Sequence, residues 1–450
     1  MATDPAVVAG AKQIVQRCLG LSKGQNLLIF ADSTTSELGS IIAEAAEELA
    51  IQSTIIFVPI PLQRRIPNEL DLSLLAQGAA KEARAILTCV NPSPDCLPFR
   101  HRILETQWSA RTRIGHMPGG NLKVLKLANV DFNKLIADCH CLEIVLARGR
   151  TLELVSTAHA GTAHHLKVDI GGWERLPVAS DGVISEGVWG NVPSGETYIA
   201  PIEGSANGSV VINGSIPGLI IKRNEQIVLH FERGRLTYIE PDNPTAQYLQ
   251  EKQIKQAMDK GDENWRNLAE IGIGLNPAVH RLTGNMLFDE KAAKTAHIAL
   301  GSNTFMGGRV DSAIHCDMVI KAPTIIVDGK TLVHRGRLRF MESEWRESYT
   351  QVSLLESPLQ AATSVARSGT EAVSQNHLLS RVLRPEPGRV SACFIGNDET
   401  SKLAHGLYGL LPRDSEWMEI SDLFGSSNSD PDTVRRVLHL VWEYGLINYR

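Results

Sequence analysis

Apolar and polar positions in the first part of the chain follow two periods, one of strands and one of helices. Three apolar runs have the length of a buried strand: residues 26–30, 53–58 and 85–90. Helical stretches such as residues 37–49 separate them. Because strands that alternate with helices are typical of parallel β-α-β units, we predict an α/β domain over residues 1–120.

The pattern changes near residue 121. Short β-rich segments punctuated by Gly and Pro follow, for example residues 210–214 and 226–231. One longer helix is predicted over residues 245–268, and residues 135–146 resemble a helix end that runs into a strand. We therefore predict an α+β metal-binding catalytic domain, with a mixed or antiparallel sheet, over residues 121–341.

The last part of the chain begins with a polar segment, residues 342–384, which is predicted to be a linker. Further on, Asp430 is suited to the N-cap of a helix, Pro431 to its first turn and Gly445 to its C-terminal cap. These signals predict a small winged-helix-like module over residues 385–450. We expect it to pack against a neighbour or to contact a peptide or protein.

Charge and composition exclude several classes of partner. The chain has 45 Lys and Arg against 50 Asp and Glu, a net charge of −5, and no basic run suited to phosphates, so a nucleic-acid partner is not expected. It shows neither a secretory leader nor an apolar run long enough to span a bilayer, so we expect a cytoplasmic protein without membrane contact. The 7 scattered cysteines indicate reduced, mostly buried thiols.

Four segments place ionisable residues in apolar or glycine-rich surroundings. Their candidate metal ligands are Glu196, Glu270, His297, His315 and Asp317. Glu270 interrupts an apolar run, and burial of a carboxylate is costly unless it is paired or bound to metal. His315 and Asp317 are two residues apart, so in a strand they share a face and can hold a divalent cation.

The five residues allow more than one type of site. Three carboxylates and two imidazoles suffice for two metal ions that flank an activated water. A mononuclear Fe(II) site is also compatible, in which His315, Asp317 and one further histidine form a facial triad. Without metal, Glu270 would be a member of a buried ion pair and His297 a satisfied core histidine.

Four ordered blocks carry a resemblance to a known family. They are NVPSGE at 191–196, EIGIGLNP at 270–277, DEKAAKTAHIALG at 289–301 and HCD at 315–317. Together they resemble the signature blocks of the aminopeptidase T/S family of metallo-aminopeptidases, over residues 10–335. The resemblance implies an aminopeptidase T-like fold, a homodimer, and five metal ligands at Glu196, Glu270, His297, His315 and Asp317.

The same resemblance implies two divalent ions per site, Zn, Co or Mn, and cleavage of a peptide or small amide by metal-activated water. Glu196 or Glu270 would then carry the proton to the leaving amine. Glu290 and Asp311 are further candidates for orienting the histidines. The family uses a tyrosine seven residues after the histidine that matches His297, where this chain has Thr304, followed by Phe305.

Two other functions stay open at this point. A dihydroxypyridine ring-cleaving dioxygenase uses the same fold with one Fe(II) and resembles the chain at the His-x-Asp pair of His315 and Asp317, but carries histidine where this chain has Glu270. The chain could instead be a non-catalytic peptide-binding protein with a degenerate metal site, because Thr304 replaces the family tyrosine and a C-terminal module is added.

Overall fold

The computed structural model describes residues 4–63, 72–93, 96–106, 109, 111–171, 175–339, 384–385 and 447–448. The chain divides into two compact units. The first comprises Met1–Asn303 and Gly308–Arg339, and the second comprises Thr304–Gly307 and Phe340–Arg450. The predicted domain boundaries are not tested by this division and stay predictions.

The first unit begins with a parallel five-stranded sheet. Its strands are β1 (Asn26–Ala31), β2 (Gln52–Phe57), β3 (Ala85–Thr88), β4 (Arg113–His116) and, later in the chain, β8 (Trp189–Asn191), in the order β2-β1-β3-β4-β8. The helices are α1 (Pro5–Gln13), a π-helical turn (Ile14–Cys18), α2 (Ser36–Glu48), α3 (Ile60–Gln63), α4 (Leu74–Glu82) and α5 (Leu97–Glu105). The predicted parallel α/β architecture is confirmed.

Alternation along β1 places its side chains in two cores. Leu27 and Ile29 belong to one buried cluster together with Leu38 of α2. Leu28 and Phe30 belong to a second cluster on the opposite face. Because β1 is buried on both faces, its sequence is continuously apolar, which is typical of a central parallel strand.

Three helical segments follow β4: α6 (Leu122–Leu125), a 3₁₀ turn (Lys126–Ala128) and α7 (Phe132–Arg148). The expectation of a strand within residues 135–146 is wrong, since α7 is continuous there. Its buried residues Leu135, Cys139, Leu142 and Val145 recur at helical spacing, which outweighs the short-range alternation around the cysteines.

The remaining strands form antiparallel sheets. An eight-stranded sheet has the order β14-β13-β10-β6-β5-β18-β19-β20, and a second sheet has the order β17-β16-β15-β9-β7. The bounds are β5 (Thr151–Thr157), β6 (Ala163–Asp169), β7 (Val178–Ser180), β9 (Glu196–Ile199), β10 (Asn207–Ile212), β13 (Ile227–Glu232), β14 (Arg235–Glu240), β15 (Leu268–Gly274), β16 (Thr295–Gly301), β17 (His315–Lys321), β18 (Thr324–Val327), β19 (Lys330–His334) and β20 (Arg337–Leu338). A hairpin pairs β11 (Ser215–Ile216) with β12 (Leu219–Ile220).

The helix predicted over residues 245–268 is shorter than expected. The chain forms α8 (Pro244–Tyr248), a π-helical segment (Leu249–Ile254) and α9 (Lys255–Asp259), then a 3₁₀ turn (Glu263–Arg266) before β15 begins. Gly261, at φ +67°, adopts the left-handed conformation that ends a helix. A short helix α10 (Met286–Asp289) lies between β15 and β16.

The second unit is described at only a few residues. They form a 3₁₀ turn (Thr304–Met306) and a pairing of β21 (Arg384–Pro385) with β22 (Ile447–Asn448). The predicted linker at 342–384 and the predicted winged-helix-like module at 385–450 otherwise lie outside the described residues. Among the helices that are described, none is long and apolar enough to cross a membrane.

Candidate metal centre

All five candidate ligands lie on one face of the sheet that contains β9, β15, β16 and β17. Glu270 of β15 is in register with Ala299 of β16, which is in register with Asp317 of β17. His315 lies two residues before Asp317 and therefore faces the same side. The predicted shared face of His315 and Asp317 is confirmed.

Gly272 makes room for His297 on this face. The two residues are in register, and a β-carbon at position 272 would lie 2.1 Å from both Cε1 and Nε2 of the imidazole. On the other side of Gly272, Tyr198 of β9 is in register with it, and Glu196 lies two residues before Tyr198. The sequence EIGIG at 270–274 thus directs a carboxylate and two glycines to the site and two isoleucines away from it.

Glu270 contacts both histidines of the cluster. Its Oε1 lies 3.0 Å from Nε2 of His297, and its Oε2 lies 3.1 Å from Nε2 of His315. Oδ1 of Asp317 is 3.3 Å from the same His315 nitrogen. Donor atoms of Glu270, His297 and Asp317 all lie within 4.8 Å of one another, close enough to share a metal ion.

Glu196 is brought to the cluster but is held by a lysine. Nζ of Lys291 lies 2.9 Å from Oε1 of Glu196 and also contacts the carboxylate of Glu290. The other oxygen of Glu196, Oε2, is buried without a hydrogen bond and lies 3.9 Å from Nε2 of His297. Glu196 therefore presents one unsatisfied oxygen to the cluster.

The orientation of His315 is set by a backbone group. Its Nδ1 donates a hydrogen bond of 2.7 Å to the carbonyl oxygen of Ser302, which leaves Nε2 directed at Glu270 and Asp317. Such a contact fixes the tautomer of a metal-binding imidazole. Asp311, predicted as an orienting residue, is exposed, and its backbone carbonyl accepts a hydrogen bond from another segment.

A partly buried acidic residue, Glu203, contacts the loop that carries Ser302. Glu203 accepts hydrogen bonds from Nδ2 of Asn303, at 3.0 Å, and from the backbone nitrogen of Arg309, at 2.8 Å. Arg175 pairs with the same carboxylate at 2.6 Å. These contacts hold Asn303 and Arg309 in the connection between β16 and β17, and Asn303 is adjacent to the Ser302 carbonyl that orients His315.

The ion pairs of the cluster shift the pKa values of Glu270 and of both histidines. Burial alone would raise the pKa of Glu270, but its hydrogen bonds to His297 and His315 and their charges lower it to about 2. Burial would lower the pKa of His297, whereas its hydrogen bond to Glu270 and the surrounding carboxylates raise it to about 9. The pKa of His315 is likewise raised by Asp317 and Glu270, against the effect of burial. Without metal, the cluster thus holds protons on its imidazoles.

Sequence reasoning missed two residues of the site. Lys291 was not considered, although it is buried and contacts a predicted ligand. Tyr198 shares the face of Glu196 two residues away, and burial together with the nearby carboxylates, Glu270 first, raises the pKa of its phenol. Strand periodicity after Glu196 was a signal for Tyr198, whereas the sequence offers no comparable signal for Lys291.

Among the described residues, no cysteine belongs to the group that could hold a metal ion. Cys139 and Cys141 are free and buried in α7, and His140 between them pairs with Glu143 at 2.8 Å and Asp181 at 3.4 Å. The six cysteines in the described part of the chain are free thiols, and all are buried, as predicted.

Comparison with known proteins finds a family and a curated protein that are similar to part of this chain. Residues 129–340, which include all five candidate ligands, match the model of the NicX family, described as 2,5-dihydroxypyridine 5,6-dioxygenase. A curated protein of that name from Pseudomonas putida is 27% identical over 208 residues, 43% of this chain. The chain spans 55% of the length of that relative.

Two solved structures share the fold. The structure of 2,5-dihydroxypyridine dioxygenase from Pseudomonas putida superposes with a TM-score of 0.57 at 22% identity, covering 76% of this chain and 98% of that chain. Wild-type AmpT from Thermus thermophilus gives a TM-score of 0.54 at 18% identity, covering 75% of this chain and 100% of that chain. The prediction of an aminopeptidase T-like fold is therefore confirmed to the extent that this chain and AmpT share a mixed α/β architecture.

The prediction of a metallohydrolase is wrong. Both the family model and the curated relative carry the name of a dioxygenase, a class of enzyme that catalyses oxidation and not peptide or amide hydrolysis. The likeness to AmpT is a likeness of fold alone. A shared fold does not determine the reaction.

Proposed function

We propose that this protein is an Fe(II)-dependent dioxygenase that cleaves the ring of a hydroxylated pyridine. The observation that carries the proposal is the match of residues 129–340 to a dihydroxypyridine dioxygenase family, over the same residues that form the cluster around Glu270. The substrate of this protein is inferred from the name of the curated relative, and this chain covers 55% of the length of that relative.

The donor set fits iron. Imidazole and carboxylate groups in a facial arrangement with open positions are typical of non-haem Fe(II) oxygenases. Donor atoms of Glu270, His297 and Asp317 lie within 4.8 Å of one another and would hold the ion, and His315 supplies a second imidazole beside both carboxylates. The burial of Glu270 and His297 is consistent with this assignment, because each is more than nine-tenths buried and depends on charged partners.

When bound, iron would supply the activation of O₂ and a positive charge for a ring oxygen. The chain's own residues prepare that environment. Glu270 spans both histidines, Ser302 fixes the tautomer of His315, and Gly272 leaves the space that His297 occupies. These residues hold the donors in place before substrate arrives, which is how a fixed polar site lowers a barrier.

Oxygen uptake tests the proposal. The protein is reconstituted with Fe(II) without air and then given 2,5-dihydroxypyridine and O₂. We expect substrate-dependent uptake of one O₂ per ring lost. The Asp317→Ala variant should lose both iron and uptake, and Asp311→Ala, which changes an exposed carboxylate six residues earlier, should retain both. Wild-type protein that holds iron and consumes no oxygen with this or related hydroxypyridines would contradict the proposal.

A further inference from the structure

Lys291 is a fully buried lysine at the edge of the candidate metal centre. Its side chain is 1% exposed, and its ammonium lies between the carboxylates of Glu196 and Glu290. A buried ammonium is costly unless it is paired, so this arrangement holds the lysine and both carboxylates together. The position of Lys291 is therefore closely coupled to that of Glu196.

The two oxygens of Glu196 have different surroundings. Oε1 accepts a hydrogen bond of 2.9 Å from Lys291. Oε2 accepts none, is buried, and lies 3.9 Å from Nε2 of His297. Since Lys291 fixes one oxygen, the carboxylate cannot rotate freely, and its other oxygen stays directed at the cluster.

Charge also separates Glu196 from the metal donors. The carboxylates of Glu270 and Asp317 suffice to balance a divalent cation, whereas Glu196 is paired with Lys291, which also contacts Glu290. A buried carboxylate that has no hydrogen bond on one oxygen is suited to accept a proton there.

We propose that Oε2 of Glu196 accepts the proton of a ring hydroxyl of the bound substrate, and that Lys291 is the positioning residue that holds Glu196 for this step. The inference rests on the proposed function. The O–H bond of the ring hydroxyl breaks, a new O–H bond forms at Oε2, and the electron pair stays on the ring oxygen as an oxyanion. No group is oxidised or reduced, and a bound cation would balance the negative charge of the oxyanion.

The ionisation state of a bound ring can be read from its ultraviolet absorption, because loss of the hydroxyl proton moves the band to longer wavelength. The experiment titrates iron-loaded protein with 2,5-dihydroxypyridine without oxygen at neutral pH. Wild type is expected to bind the ring as the oxyanion, and Glu196→Gln to bind it as the neutral form. Iron content should be equal in the two proteins, and turnover should fall by about 10²–10⁴-fold in the variant.

Variants of the lysine test the positioning role. Lys291→Met should give the neutral spectrum at unchanged iron content, and Lys291→Arg, which keeps a positive charge, should restore part of the oxyanion signal. Lys294→Met is the matched control, since Lys294 is an exposed lysine three residues further along the chain and should leave the spectrum unchanged. If Lys291→Met does not fold, the conservative variants remain: Glu196→Gln tests the proton acceptor, and Lys291→Arg tests the positioning role of the lysine.

If the wild-type protein binds the ring and consumes oxygen, the proposed function stands, and two results with the Glu196→Gln variant would still overturn the role inferred for Glu196. One is loss of iron from Glu196→Gln, which would make Glu196 a metal ligand. The other is an oxyanion spectrum in Glu196→Gln, which would assign the proton to another acceptor. A wild-type protein that neither binds 2,5-dihydroxypyridine nor consumes oxygen with it would overturn the proposed function itself.

Discussion

Gly272 faces His297 across two neighbouring strands, and the imidazole occupies the space where a β-carbon of residue 272 would lie. The glycine is therefore a spatial requirement of the histidine. At the scale of single residues, the site consists of such pairs: Glu270 with two histidines, His315 with the carbonyl of Ser302, and Glu196 with Lys291.

Replacement of Gly272 by alanine tests the first pair. The new methyl group would lie 2.1 Å from Nε2 of His297, so the ring must move. We expect metal affinity to fall by about 10–100-fold and the free energy of unfolding to fall by about 1–3 kcal/mol. Metal titration and urea unfolding measure the two effects. Gly78→Ala in α4, where a β-carbon meets nothing within 4 Å, is the control and should lose neither.

The raised pKa of His297 predicts how stability depends on pH in the metal-free protein. Burial opposes the shift, but the hydrogen bond to Glu270 and the nearby carboxylates raise the pKa to about 9, above the value of about 6.5 in an unfolded chain. The pairing therefore stabilises the fold fully below about pH 6.5, and this contribution is lost as pH rises through about 9.

We expect the free energy of unfolding in urea, measured without metal, to fall from pH 6.5 to pH 9. The pKa of His315 is raised as well, so it adds to the same trend. In the His297→Gln variant the fall should be smaller. A free energy of unfolding that is constant or increases over this range in the wild-type protein would show that the imidazoles are not protonated in the folded state.

Individual residues differ in how far the sequence predicts them. Glu270 and His297 stand out because each interrupts an apolar stretch, and His315 and Asp317 because strand periodicity puts them on one face. Lys291 follows two acidic residues in the sequence DEK, a pattern typical of a solvated surface, and only the tertiary structure buries it.

At the scale of elements, the site depends on how β9 and β15 are fixed to each other. Side-chain Nδ2 of Asn276, just after β15, donates to the carbonyls of Ser194, at 2.8 Å, and Leu127, at 3.0 Å. Ser194 precedes β9 by two residues. Asn276 therefore connects the end of β15 to the turn that delivers Glu196 and to the helical segment before α7.

Asn276→Ala removes the donor of both carbonyls. A buried group left without a partner costs about 1–3 kcal/mol and the Leu127 carbonyl is only partly buried, so we expect the free energy of unfolding to fall by about 2–4 kcal/mol. Urea unfolding measures it, and Asn133→Ala at an exposed position of α7 should change it by less than about 0.5 kcal/mol. A loss of less than 1 kcal/mol in Asn276→Ala would mean that water replaces the amide.

Elements with long, regular periodicity were predicted well. The parallel strands and α2 match expectation because apolar runs and helical faces are local properties of the sequence. The helix over 245–268 was overestimated because Gly261 ends it, and the strand expected within 135–146 was an alternation that the helical spacing of buried side chains outweighs. Local patterns indicate the elements, and packing decides between competing readings of them.

At the scale of the whole molecule, the fold supports more than one chemistry. The same mixed α/β architecture is found in a dihydroxypyridine dioxygenase and in AmpT. A set of carboxylates and imidazoles suits both hydrolysis and oxygen chemistry, so residues alone favoured a hydrolase, whereas the reaction depends on the metal and on the bound substrate. The homodimer implied by the aminopeptidase resemblance stays a prediction.

Isotopic labelling of the product tests the proposed ring cleavage most directly. Iron-loaded protein is given 2,5-dihydroxypyridine under ¹⁸O₂ in unlabelled water, and the ring-opened product is analysed promptly by mass spectrometry. A dioxygenase transfers both atoms of O₂, so we predict a product that carries two ¹⁸O atoms, apart from exchange with water that a control incubation of the product measures. A product that carries oxygen from water alone, formed equally well without O₂, would contradict the proposed function.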